Sequence, residues 1–218
     1  ELATPAQRIL APTMAIKAFI FDCGGVLLRD KNDGAYETWA RRFGLTPAQL
    51  REQLWHGETW TSAELGRISE AEFWDRAGRE LGLTAAEEIG ALADDLWGAW
   101  QVDEAVLALV DRLRQTHRLA ILSNATDALE GMLAGRYGVA DRFEVILSSA
   151  RLGLAKPDPA VFGRALSALG LEAGEVVFVD DRAENIAAAA ALGLHVAWFV
   201  GAAELQRQLD THLAPAVR

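Results

Sequence analysis

A single cysteine, Cys23, rules out any disulfide within this chain, which fits a reducing, cytoplasmic setting. Basic residues are also scarce: 21 Lys and Arg stand against 31 Asp and Glu, a formal net charge of −10. A surface of that sign repels nucleic-acid phosphates and anionic lipid, so neither nucleic acid nor membrane is expected as a partner. No apolar run approaches the roughly 20 residues that a membrane helix requires. The opening ELATPAQRILAPT lacks the basic start and long apolar stretch of a signal peptide, and residues 1–13 read as an N-terminal extension. Internal repeats and low-complexity tracts are missing, apart from the alanine-rich stretch Ala187–Ala191. What the chain does have is 51% hydrophobic residues over 218 positions, enough for one large core and a modest insertion.

Five short runs rich in Val, Ile, Leu and Phe read as strands: Ala18–Phe21, Leu119–Leu122, Val145–Leu147, Val176–Val179 and Val196–Phe199. Their continuous apolar character, without alternation, predicts burial on both faces, as in a parallel sheet. Helical segments separate the later four. Asp158-Pro159 is an N-cap followed by Pro at the first helical position, and Gly170 supplies the stop. The fold class expected is α/β, a Rossmann-like three-layer sandwich with a parallel sheet of about five strands.

Residues 31–102 show no strand pattern and predict an inserted helical bundle, leaving 14–30 and 103–218 as the core. Thr46-Pro47 opens one helix there, and Ser69-x-x-Glu72 and Thr84-x-x-Glu87 read as capping boxes for two more. Six of the seven tryptophans fall in this block, from Trp39 to Trp100. Most of them are expected to build the bundle's core. One or two can face a ligand, and LWHGETW, with His56 and Trp60 around a Gly in a helix-to-helix loop, is the candidate segment. His56 reads equally well as a solvated loop histidine.

Four segments carry chemistry-bearing residues at the ends of strands or just after them. AFIFDCGGVLL ends an apolar strand on Asp22 and turns on Gly24 and Gly25; LAILSNATD ends on Ser123 and Asn124. GLAKPDPAVF holds Lys156 between backbone restrictions imposed by Pro157 and Pro159. VVFVDDRAEN ends on the acid pair Asp180 and Asp181, with Asn185 one helical turn further on. A parallel sheet brings all four to its carboxyl edge, where ligands bind in open α/β folds. Taken alone, Ser123 or Asn124 reads as a helix N-cap, Lys156 as a solvated charge, and the acid pair as a cap of the next helix.

The ordered set resembles the haloacid dehalogenase-like hydrolases, mostly phosphatases, over nearly the whole chain from Lys17 to Phe199. By that resemblance the 31–102 block is a helical cap, and Asp22 is the nucleophile that forms an aspartyl-phosphate. Ser123 and Asn124 hold a phosphoryl oxygen, and Lys156 neutralises the nucleophile and the transferring group. Mg²⁺ is held by Asp22, the backbone carbonyl of Gly24 and Asp181, with Asp180 assisting and Asn185 orienting a water or ligand; the candidate substrate contacts are Gly25 and, from the LWHGETW segment itself and not from the resemblance, His56 and Trp60. The implied substrate is a small phosphorylated metabolite. The chain departs from the family at Gly24, where a second Asp ordinarily protonates the leaving group. Strand alternation turns Cys23 away from Asp22's face, so it cannot take over. A slow or selective phosphatase is therefore expected. The alternatives are a haloacid dehalogenase, whose halide leaves without a proton, and a non-catalytic module that binds a phospho-ligand or a protein. Oligomeric state is not specified.

Overall fold

In the computed structural model, which describes residues 15–214, β1 (Ala18–Phe21), β4 (Arg118–Ser123), β5 (Val145–Ser148), β6 (Val176–Asp180) and β7 (His195–Trp198) form one sheet. Its order is β5-β4-β1-β6-β7 with every pair parallel, so β1 is central. The expected sheet is present, with β4 and β6 extending one residue further to take in Ser123 and Asp180, and β7 ending before Phe199.

Successive residues of a strand face opposite ways, and each face has its own helices. Phe19, Phe21, Ile121, Val177 and Val179 pack against α6 (Glu104–Leu113), α7 (Leu129–Gly135) and α11 (Ala202–Leu213). Ala18, Ile20, Leu122, Val176 and Phe178 pack against α9 (Pro159–Leu169) and α10 (Ala183–Ala191). Both faces are thus dry, which is why the strand sequences do not alternate. Asp158 caps α9 by accepting from the Ala160 amide, and Gly170 ends it in a left-handed conformation.

Residues 33–99 form five helices: α1 (Asp33–Phe43), α2 (Pro47–Trp55), α3 (Glu58–Glu64), α4 (Glu70–Glu80) and α5 (Ala86–Ala99). They enclose a separate apolar cluster around Tyr36, Leu50, Leu54, Phe73, Trp74, Leu92 and Leu96. Trp55 is its hub, with ring centroids 5.0 Å from Trp60, 5.9 Å from Phe73 and 5.5 Å from Trp97.

Three expectations need correction here. The block is entered and left through two strands, β2 (Leu28–Asp30) and β3 (Trp100–Val102), which pair antiparallel with Asp30 opposite Trp100. Thr46 and Gln49 do make a capping box, and Ser69 caps α4 through the Glu72 amide, but α5 starts after Ala85 with no side-chain cap. The helix begins one position late for Thr84 to serve. Trp60 lies within α3, not in a loop; only His56 and Gly57 separate α2 from α3. The proposed extension, residues 1–13, lies outside the described residues.

The helical block also touches the core away from its strands. Glu70 accepts from the Trp97 indole (3.0 Å) and from the Thr126 hydroxyl, while its amide donates to Asp127 (2.9 Å). Gly66 lies so close to α8 (Ser149–Leu152) that a Cβ there would meet the Ala150 carbonyl oxygen at 2.1 Å.

Because Phe21 is fully buried at the centre of the sheet, Phe21→Ala should destabilise the protein by about 3–5 kcal/mol. A denaturant titration should show a lower midpoint with an unchanged slope; a shift below about 1 kcal/mol would mean the core can collapse around the loss.

Candidate active site

The carboxyl ends of β1, β4 and β6 bring Asp22, Ser123 and Asp180 together, and the loop before α9 brings Lys156 to them. Lys156 is buried, with its Nζ 2.9 Å from Asp22 Oδ1 and 2.7 Å from Asp180 Oδ2. Burial alone opposes its charge, yet the two carboxylates outweigh that effect and hold it above the ordinary lysine range. Asp22 Oδ1 also accepts from the Cys23 amide at 2.7 Å. Burial lifts the Asp22 carboxyl from its ordinary 3.8 to about 6, against the opposing pull of Lys156.

Asp180 is fully occupied by protein: besides Lys156, its Oδ1 accepts from the Arg182 amide at 2.8 Å, and both oxygens accept from the Asn185 amide at 3.0 Å. Asn185, expected to orient a water or ligand, therefore holds Asp180. Five positions beyond the strand end, the first turn of α10 folds its side chain back onto the carboxylate. Asn124 also has a structural task that the sequence did not show. Its side chain donates to the Lys156 carbonyl (2.9 Å) and accepts from the Lys156 amide (2.8 Å), so it fixes the lysine's main chain, while the second N–H of the same group remains available to a phosphoryl oxygen. Ser123 is buried at the end of β4, in the cavity wall.

Asp181 leans over Gly25. A Cβ at Gly25 would meet Asp181 Oδ2 at 2.3 Å, and φ there is +84°, so only glycine admits the second acid to the site. Asp22, Asp180 and Asp181 each present an oxygen within 4.8 Å of the others. Burial and the neighbouring Asp180 charge both push the Asp181 carboxyl up. Three carboxylates around one ammonium leave negative charge uncompensated, and this all-oxygen donor set suits a hard divalent cation such as Mg²⁺.

A cavity of about 450 Å³ opens above these groups, between the sheet edge and the helical block. His56 and Trp60 line it, as does Gly24, with His56 exposed at the rim. The sequence reading missed the rest of its wall. Trp100 stands over Gly24, its ring carbons 3.6 and 3.8 Å from where a Cβ would lie. Asp30 accepts from Arg51 Nε (3.1 Å) and Nη2 (2.9 Å), Arg51 lies over the Tyr36 ring, and the Trp55 indole donates to the Tyr36 hydroxyl at 3.0 Å. Glu64 lines the same wall, its carboxyl raised by burial. The strand pairing that sets Trp100 opposite Asp30 was the missing signal.

A model of the haloacid dehalogenase-like hydrolases matches residues 16–193. The chain belongs to this family. It is 30% identical over 181 residues to a sesquiterpene phosphatase of Aspergillus oryzae, covering 82% of this chain and 87% of that one. It is 30% identical over 188 residues to a phosphatase of Mycobacterium tuberculosis, covering 83% and 86%. The fold is similar to that of a family enzyme from Bacteroides thetaiotaomicron crystallised with magnesium and inorganic phosphate, at a TM-score of 0.72 and 23% identity, covering 84% of this chain and 94% of that one. The protein is accordingly a hydrolase, and none of its described helices is long and apolar enough to cross a membrane.

Lys156→Met should cost about 3–5 kcal/mol at neutral pH, since Asp22 and Asp180 would be buried without their counter-charge. The deficit should shrink as pH falls toward the wild-type Asp22 value of about 6, because without the ammonium that holds it down the Asp22 carboxyl takes up its proton at higher pH than in the wild type. Denaturant melts across this window check it, and a pH-independent deficit would refute the electrostatic account.

Proposed function

We propose that this hydrolase is a Mg²⁺-dependent phosphatase acting on a small phosphorylated metabolite, with Asp22 as its nucleophile. The observation that carries the reading is the constellation at the sheet edge: one buried ammonium bridging Asp22 and Asp180, with Asp181 admitted over Gly25. Two relatives named as phosphatases support it. The residues that would hold Mg²⁺ are Asp22, Asp181 and the Gly24 carbonyl, with Asp180 behind them. When bound, the ion supplies charge neutralisation for the nucleophile and the phosphoryl oxygens.

Asp22 Oδ1 is taken by Lys156 and Cys23, and Oδ2 accepts no hydrogen bond from the described residues, so Oδ2 is the attacking atom. It forms a bond to phosphorus as the ester P–O bond breaks, and the departing alkoxide takes a proton from water. Water then attacks phosphorus, cleaves the Asp22–phosphate bond and releases inorganic phosphate. Ser123 donates to a phosphoryl oxygen, and Lys156 offsets the charge that builds on both partners. Asn124 and Asn185 brace Lys156 and Asp180, and both also line the cavity. Residues 31–102 serve as the cap that shapes the substrate, over a core of 14–30 and 103–218. A cytoplasmic location belongs to the same proposal, resting on the single, unpaired, buried Cys23. The gathered carboxylates speak against a dehalogenase, whose chemistry needs no cation.

p-Nitrophenyl phosphate tests the reaction, because its good leaving group makes the missing acid least important. Release should require Mg²⁺, stop with EDTA and vanish in Asp22→Asn; release that survives Asp22→Asn would remove Asp22 as nucleophile. Gly24→Asp tests the missing acid. Its Cβ fits at ordinary contact distance beside Trp100, so the variant should raise turnover of alkyl monoesters relative to p-nitrophenyl phosphate by about tenfold or more. An unchanged ratio would mean that leaving-group protonation does not limit this enzyme.

A further inference from the structure

The walls of the cavity above Asp22 present more hydrocarbon than polar surface, although Asp30, Tyr36, Arg51 and Glu64 line one part of it. Leu28, Met132 and the indoles of Trp55, Trp60, Trp97 and Trp100 face it. These rings are half-buried: Trp55, Trp60 and Trp97 pack into the helical block's aromatic cluster and Trp100 against the core of the sheet, and all four line the cavity. Among the described residues, the cations in the wall are Lys156, Arg51 and Arg182, and each is already paired, with Asp22 and Asp180, with Asp30 and Asp33, and with Glu184. Apart from His56 at the rim, no unpaired basic side chain of the described residues remains there for a second phosphate or a carboxylate. At Gly24, from which a carboxylate would face the leaving group, the neighbouring surface is the benzene edge of Trp100.

Resting on the phosphatase reading above, we propose that the substrate is the monophosphate of a bulky apolar alcohol, flat or ring-bearing, whose hydrocarbon body lies among these indoles. Such a body releases water from apolar surface on both sides as it enters, a driving force that a polyol lacks. The volume of about 450 Å³ accommodates a phosphoryl group with a fused ring system behind it. Trp60 and Trp100 would set specificity from two different elements of the wall, α3 and β3.

The test is calorimetric titration of the Mg²⁺-loaded protein with two phosphonates that cannot be hydrolysed, 1-naphthylmethylphosphonate and methylphosphonate. The naphthyl compound should bind at least about tenfold more tightly, inorganic phosphate should displace it, and Trp60→Ala should shrink the ratio severalfold. Equal affinity for the two compounds, or naphthyl binding that phosphate does not displace, overturns the inference. Turnover of p-nitrophenyl phosphate, read in parallel, separates the two claims. Turnover with equal phosphonate affinities leaves the phosphatase and removes the apolar substrate. Tight, displaceable naphthyl binding without turnover does the reverse.

Discussion

The bridge from Lys156 to Asp22 and Asp180 is the contact on which the rest of the site depends. Two buried carboxylates at neighbouring strand ends are tolerable only with a cation between them, and a buried lysine is tolerable only with such partners. The surrounding structure holds that arrangement from several directions. Asn124 grips the lysine's main chain, Asn185 and the Arg182 amide hold Asp180, and the Cys23 amide holds Asp22. The central place of β1 follows the same logic, since it puts Asp22 between the strands that end on Ser123 and Asp180.

Around that bridge the site is anionic. Asp181 adds a carboxylate that makes no ion pair among the described residues, and Gly25 leaves room for it beside Asp22. A protein that simply needed a stable core would gain nothing from this crowding. It is the kind of local cost expected where a charged ligand is to be received.

Much of this was legible before any coordinates. Asp22 and Asp180 stood out because strands buried on both faces are uniformly apolar and a terminal acid interrupts them. Lys156 stood out through its flanking prolines. What could not be read was anything that depended on distant pairing. β2 and β3 are three residues each, too short to show alternation, so Trp100 could not be placed over Gly24. The destinations of Asn124 and Asn185 were hidden for a similar reason: an amide beside a binding site can reach a ligand or brace a neighbour, and only the fold decides. Composition suggests most of the tryptophans as core and one or two toward a ligand, whereas Trp55, Trp60 and Trp97 each pack in the helical cluster and line the cavity as well.

Glu70 carries a consequence for the tempo of the reaction. Its carboxylate and amide tie the start of α4 to Trp97 inside the helical block and to Thr126 and Asp127 on the core, across from the β2–β3 connection. The cavity is therefore fastened on two sides, by a covalent hinge and by a polar clasp. If release of a product requires the helical block to lift from the core, these hydrogen bonds, remote from phosphorus, are the ones that must break.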